Sequence, residues 1–284
     1  MSALLSIRDL SLGFGDGVAV LDRVGFDVPA GSLVALVGES GSGKTLIGLE
    51  VIGLAPVGAR VTGGQILHEG RDLLTLGAAA RADLRGRSIG MVFQAPRAAL
   101  HPTRSIGRQI RAVMARHGTG GRVAPGGLLA DLGIEAPERM LRLRAHELSG
   151  GMCQRAGIAL ALAAEPRLLI ADEPTTGLDT VNAAGVMGLL RRAAHGRGMG
   201  VLLITHDLGL AAAHADRIVV IHAGQIAEEG PAAALLAAPR HPYARALLQS
   251  APALAALAGP GARAILAGPT MAVLPLDALG AGGR

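Results

Sequence analysis

A chain of 284 residues, half of them hydrophobic and 17% charged, can bury a substantial core and is too apolar to be a disordered chain. The net charge of +5 invites a nucleic-acid reading, but aromatic residues make up only 1%, which leaves almost nothing to stack on bases. A single cysteine, Cys153, excludes an internal disulfide and any cysteine-based metal or iron–sulfur site. No apolar run approaches the ~18 residues that cross a bilayer, and no charged segment followed by an apolar one marks a secretory signal at the start, so the expected compartment is the cytoplasm. The basic residues are spread along the chain, and all but one of the 27 are arginine. The exception is Lys44.

In chain order, residues 4–30 alternate as strands do, with Val24, Phe26 and Val28 on one face and Gly13, Gly15 and Gly17 marking a turn before them. Leu33 to Val37 is a short continuous apolar run, the pattern of a strand buried on both faces. A glycine-rich loop follows, and Thr45 to Leu54 reads as a helix. Gly64 to His68 and Ser88 to Val92 read as further strands. Between Pro96 and Leu148 the period becomes helical, with Ile106, Ile110, Val113 and Met114 at helix spacing after a start signal at Pro102-Thr103. Residues 118–127 (GTGGRVAPGG) are loop by composition. Strands at Leu168 to Asp172, Val201 to Thr205 and Arg217 to Ile221 then alternate with helices, which argues for a parallel α/β sheet with a helical insertion at about 95–147. From 259 onward the chain is Gly/Ala/Pro-rich without a period and reads as a loosely held tail.

The stretch Gly38-Glu39-Ser40-Gly41-Ser42-Gly43-Lys44-Thr45 matches the phosphate-binding pattern G-x-x-x-x-G-K-[ST], in the required place between a buried strand and a helix. Glycines let backbone N–H groups wrap a phosphate, and the helix N-terminus adds the positive end of its dipole. Lys44 would reach the β- and γ-phosphates, and the Thr45 hydroxyl would ligate Mg²⁺. A chance glycine-rich turn is the competing reading. Two correctly placed glycines and a Ser/Thr around the only lysine give it a probability of roughly 0.002 before context is counted. A second carboxylate is needed for the metal, and Asp172 stands where the apolar run Leu168 to Ala171 stops. Glu173 follows, placed to take the attacking water's proton or to orient that water.

Further motifs resemble those of the ABC ATPases. Leu148-Ser149-Gly150-Gly151-Met152, continued by Gln154-Arg155, is similar to the family's signature, with Met152 where many members carry glutamine. Gln94 resembles the Q-loop glutamine, Thr176-Gly177-Leu178-Asp179 the D-loop, and His206 the switch histidine. The order and spacing match the family across residues 4 to about 230. The resemblance implies a P-loop NTPase cassette of class α/β, with a mostly parallel core sheet, an N-terminal antiparallel β subdomain and an α-helical insertion subdomain. It implies a cassette over 1–230 and a C-terminal helical extension and tail over 231–284.

It also implies roles. Ser149, Gly150 and Gly151, with Asp179, would complete the nucleotide site of an opposing cassette. His206 would contact the γ-phosphate. Gln94 would sense Mg²⁺ and water, and Phe14 would stack on adenine. For Phe14 a core-facing strand position is the competing reading; for Cys153, a small buried neutral residue is favoured over a redox sensor.

Residues 38–45 (GESGSGKT), 60–64 (RVTGG), 92–102 (VFQAPRAALHP) and His241-Pro242-Tyr243 resemble the dipeptide/oligopeptide/nickel importer ATPases. That branch implies ATP and Mg²⁺ as ligands, two membrane permeases, a second ATPase (a paralogue or the same chain), an extracytoplasmic solute-binding protein, and a place on the cytoplasmic face of the membrane. The absence of a cysteine cluster after Cys153 leans toward the nickel or metallophore side. The alternative class is a soluble ABC ATPase of DNA repair or translation, which usually carries two cassettes or long coiled-coil insertions. Residues 84–130 hold eight arginines and no Asp or Glu. Arg104, Arg108 and Arg111 are expected on one helical face, either simply solvated or bordering a groove for the permeases' coupling helices.

Overall fold

The alternating segment at the start is a hairpin of β1 (Ala3–Phe14) and β2 (Val18–Pro29). In this computed structural model, which describes residues 3–15, 17–120 and 124–250, β3 (Leu33–Val37) leaves for a second sheet and runs through the glycine-rich loop into α1 (Lys44–Val51). The chain returns as β4 (Ala59–His68) and β5 (Arg71–Asp72), completing an antiparallel sheet of order β2-β1-β4-β5. β4 begins at Ala59, five residues ahead of the strand expected from Gly64. Gly64 lies at a register break opposite β1, with φ +91°, and a Cβ there would stand 2.5 Å from the Arg8 carbonyl oxygen. A glycine bulge of this kind hides a strand from periodicity.

After α2 (Ala78–Leu84) and β6 (Ile89–Val92) come the helices α3 (Pro96–Ala99), α4 (Ile106–His117), α5 (Pro125–Asp131) and α6 (Pro137–Arg142). Ser105 caps α4 by accepting the Arg108 N–H, so Arg104 lies before the helix, and of the three arginines Arg108 and Arg111 alone lie on it, both exposed. The expected loop at 118–127 holds at Gly118, which ends α4 with φ +70°. It ends early, because Pro125 opens α5 at a position where a missing N–H costs nothing.

The remaining elements are α7 (Gly150–Leu162), β7 (Leu168–Asp172), α8 (Thr180–Arg197), β8 (Gly200–Thr205), α9 (Leu208–His214), β9 (Arg217–His222), β10 (Gln225–Pro231), α10 (Ala232–Ala237) and α11 (Pro242–Gln249). The tail read at 259–284 lies outside the described residues.

The second sheet has the order β10-β9-β3-β8-β7-β6, parallel except for β10 on β9. Its central strands β3, β8 and β7 are buried along their whole length, which is why they read as unbroken apolar runs. Leu33, Ala35 and Val37 join the core under the helices, together with Leu169, Ala171, Val201 and Leu203. Val34, Leu36, Leu168, Ile170, Leu202 and Ile204 face the other way, packing with α1 and the antiparallel sheet. Burying one large aliphatic side chain contributes about 1.5–3 kcal/mol, and a slip by one residue would exchange the two faces without exposing either. The register is therefore fixed by hydrogen bonds and strand ends more than by polarity.

His68 of β4 joins the two halves. It is buried, with Nδ1 at 3.2 Å from the Leu4 carbonyl and Nε2 at 2.7 Å from Ser88 Oγ. Burial is the main reason its pKa lies below the usual histidine value; Arg167 adds to the depression, while Glu69 and the Leu4 carbonyl oppose it. The unfolded chain thus binds a proton that the folded chain refuses, so His68 favours the fold above pH ~6.5 and that contribution is lost as pH falls. Thermal unfolding followed from pH 7.5 to 5.5 should show a shallower loss of stability in His68→Gln than in the wild type. An identical slope would show that another group governs this range.

Candidate functional site

Parallel strands share one carboxyl edge, and here that edge gathers the chemistry. β3 ends in the loop Gly38–Thr45, β6 leads to Gln94, β7 ends at Asp172-Glu173, and β8 ends before His206. Crevices at such edges are where open α/β sheets bind ligands. A cleft of about 450 Å³ opens there, lined by Phe14, Gly41, Lys44, Thr45, Gln94 and Glu173, among others.

The loop is internally braced. Lys44 Nζ donates to the Gly38 carbonyl at 2.8 Å and the Glu39 carbonyl at 2.7 Å, and lies 3.4 Å from Ser42 Oγ. Ser42 Oγ donates to the same Glu39 carbonyl at 2.8 Å. Gly38 is required by its surroundings: a Cβ would stand 2.2 Å from the Ile221 carbonyl oxygen of β9. Burial lowers the Lys44 pKa, while Glu173, Asp172 and Glu39 oppose that shift. Ser40 and Gly41 are exposed at the cleft mouth, and Gly43 precedes α1 with φ +96°.

Opposite the loop, Thr45 Oγ1 donates to Asp172 Oδ1 at 3.1 Å. Asp172 is buried, and its pKa is pushed up to about 6, chiefly by desolvation and further by Glu173, with the Thr45 hydrogen bond and Lys44 pulling the other way. A hydroxyl and a buried carboxylate are hard oxygen donors that suit a small divalent cation. Glu173 takes a left-handed backbone conformation, φ +47°, held by its N–H on the Ile204 carbonyl at 2.9 Å. For a non-glycine residue that costs on the order of 1 kcal/mol. The conformation aims its carboxylate so that Oε1 accepts from the His206 backbone N–H at 3.0 Å and Nδ1 at 2.8 Å, while Oε2 accepts from Thr176 Oγ1 at 3.2 Å. The Nδ1–H tautomer of His206 is the one this contact selects.

Ser149, Gly150 and Gly151 form the start of α7, with the Ser149 hydroxyl accepting the Met152 N–H at 3.3 Å. Ser149 and Gly150 are exposed, and none of the three lines the Lys44 cleft. Asp179 caps α8, taking the Asn182 N–H at 2.8 Å and the Asn182 side-chain amide at 2.6 Å, which hold its pKa below the usual carboxylate value. It too lies outside the cleft lining. Phe14 is at the rim, on the last residue of β1, and only half-buried. Cys153 is buried, with Sγ 3.6 Å from the Ala145 carbonyl.

Two contacts carry no signal in the sequence. Thr176 reaches the Glu173 carboxylate, and Tyr243 Oη accepts the Glu39 backbone N–H at 3.1 Å from more than two hundred residues away. The His-Pro-Tyr segment was visible, but nothing in its spacing announces this reach.

The family model described as "ABC transporter" matches residues 21–176. The chain belongs to this family of ATP-binding cassettes. A second model, "Oligopeptide/dipeptide transporter, C-terminal region", matches residues 227–271. The cassette is 43% identical over 260 residues to the dipeptide transport ATP-binding protein DppD of Haemophilus influenzae, covering 89% of this chain and 79% of that one. It is 41% identical over 262 residues to the oligopeptide transport ATP-binding protein OppD of Bacillus subtilis, covering 89% and 73%. Among solved structures it superposes on cbiO1 of Clostridium perfringens, part of the ABC transporter complex cbiONQ, with TM-score 0.72 at 26% identity, over 84% of this chain and 92% of that one. It also superposes on the cassette MJ0796, a dimer in a post-hydrolysis state bound to ADP and Pi, with TM-score 0.70 at 25% identity, over 80% and 98%. The cassette is thus an ATPase and the ATP-binding subunit of an ABC importer.

The raised pKa of Asp172 gives a testable sign. The folded carboxyl binds a proton more readily than the unfolded one, so its ionised form costs stability at neutral pH, and the cost fades as pH falls through about 6. Nucleotide-free Asp172→Asn, which keeps an acceptor for Thr45, should unfold in urea at pH 7.5 with a gain on the order of 1–3 kcal/mol, shrinking at pH 5. A loss of stability at pH 7.5 would contradict this.

Proposed function

We propose that the cassette powers the uptake of peptides. The observation that carries the cargo is the match of residues 227–271 to the oligopeptide/dipeptide C-terminal region, supported by relatives whose names are dipeptide and oligopeptide transport ATP-binding proteins. Nickel or a metal chelate is the competing cargo.

In this reading the N–H groups of Gly38 to Thr45 wrap the phosphates, and Lys44, still held by its loop carbonyls, turns its remaining N–H to the β- and γ-oxygens. Phe14, at the rim, stacks on adenine. Thr45 and Asp172, with Gln94 beside them, would hold Mg²⁺, which would supply positive charge against that of the phosphates. Glu173 accepts the proton of the attacking water, or orients it, from a carboxylate already fixed by His206 and Thr176. His206 contacts the γ-phosphate with its exposed edge. Ser149, Gly150, Gly151 and Asp179 serve the nucleotide of a second cassette, a paralogue or another copy, since they lie outside this chain's own cleft. The dimeric state of the MJ0796 cassette supports such pairing.

No helix among the described residues is long and apolar enough to cross a membrane. In this reading the path for cargo belongs to two permease subunits, supplied by a solute-binding protein. An apolar groove of about 340 Å³ beside Gln94 suits a permease helix: Leu54, Ile89, Phe93, Leu100 and Val113 line it, and Leu54 and Phe93 are among the few large apolar side chains left exposed. Its basic border comes from Arg85; Arg104, Arg108 and Arg111 do not line it. In this reading the cassette works at the cytoplasmic face of the membrane.

Uptake of a labelled dipeptide by cells lacking the chain should return with the wild type and not with Lys44→Ala, while nickel uptake stays level across all three. Nickel uptake that follows the wild-type gene while peptide uptake persists without it would overturn the assignment of cargo.

A further inference from the structure

The His-Pro-Tyr segment lies outside the nucleotide chemistry, yet its tyrosine touches the phosphate loop. The segment starts α11 for physical reasons: His241 Nδ1 accepts the Tyr243 N–H at 3.2 Å, and Pro242 occupies a position that needs no donor. The N–H groups of Arg240 and His241 donate to the Glu228 carboxylate of β10 at 2.9 and 2.8 Å. The Tyr243 ring stacks on His222 at the end of β9, with centroids 3.9 Å apart and planes 25° from parallel. Helix start and ring are both fastened to the β9–β10 hairpin. The hydroxyl then accepts the Glu39 N–H at 3.1 Å.

That N–H is one end of a single peptide unit. The other end is the Gly38 carbonyl, which accepts Lys44 Nζ at 2.8 Å. A trans peptide is planar and stiff, so its two ends turn together. A rotation that breaks the Tyr243 bond swings the Gly38 oxygen away from the Lys44 ammonium. Gly38 leaves little room for any other adjustment, because the backbone runs so close to β9 that a Cβ there would stand 2.2 Å from the Ile221 carbonyl oxygen.

We propose that Tyr243 is a positioning residue for ATP: through the Gly38–Glu39 peptide, its hydroxyl sets the carbonyl that holds Lys44, so that α11 tunes the grip of the phosphate loop. By linkage the effect is reciprocal, and nucleotide in the loop strengthens the docking of α11. The inference rests on the assignment of Lys44 to the phosphates.

The test uses the fact that Lys44 is the only lysine in the chain. Full-length protein labelled with ¹³C at lysine Cε gives one side-chain lysine resonance. Tyr243→Phe keeps the ring and its stack on His222 and removes only the oxygen. It should weaken Mg-ATP binding by about three- to tenfold, the net worth of one hydrogen bond. It should also move the Lys44 resonance while leaving the unfolding midpoint nearly unchanged. Unaltered affinity would overturn the proposal, as would weaker binding with an unmoved lysine resonance, the mark of a packing role. Lys44→Ala separates the two readings. If that variant binds Mg-ATP as the wild type does, the assignment of Lys44 fails. If it loses affinity while Tyr243→Phe does not, only the role of Tyr243 fails.

Discussion

A hydroxyl on the first turn of α1 donates to a carboxylate at the end of β7, Thr45 to Asp172, and the site depends on that 3.1 Å contact. It joins positions 127 residues apart. It requires α1 to sit low on the sheet, where a Cβ on Gly48 would stand 3.0 Å from Ile204 Cδ1. It also requires β3, β8 and β7 to end level at one edge, which their parallel registers provide. The apolar strands are therefore more than a core: buried on both faces, they fix the height at which the loop and the carboxylates meet.

The same edge concentrates opposing costs. Asp172 is ionised with difficulty, Lys44 is partly stripped of water, and Glu173 holds a backbone conformation that few side chains adopt. A stable core would avoid all three. In the proposed reading a polyanion and a cation answer these costs, their charges meeting those of Lys44 and of the two carboxylates. The sheet's burial offsets the strain, and stability is exchanged for a pre-set geometry.

The loop, Asp172, Glu173 and His206 were legible in the sequence because each sits where an apolar strand stops, and strand ends are the clearest punctuation a parallel sheet leaves. The antiparallel sheet was less legible: Gly64 bends β4 at a bulge, which breaks the alternation that would reveal it. Pro125 looked like loop and opens a helix, since proline is as much at home at a first helical position as in a turn. Arg104 was counted on a helix that Ser105 only begins. The link from Tyr243 to Glu39 could not be read from spacing, because it depends on how β9, β10 and α11 stack at the edge of the sheet. Long-range contacts of that kind leave no local signal.

The central claim is that Glu173, fixed by His206 and Thr176, serves hydrolysis and not nucleotide binding. Single-turnover hydrolysis of Mg-ATP by Glu173→Gln, with affinity measured in parallel in the assembled transporter, tests it most directly. Affinity should stay within about threefold of the wild type while hydrolysis falls by a factor on the order of 10² or more. Hydrolysis at the wild-type rate, with Mg-ATP bound normally, would contradict the account.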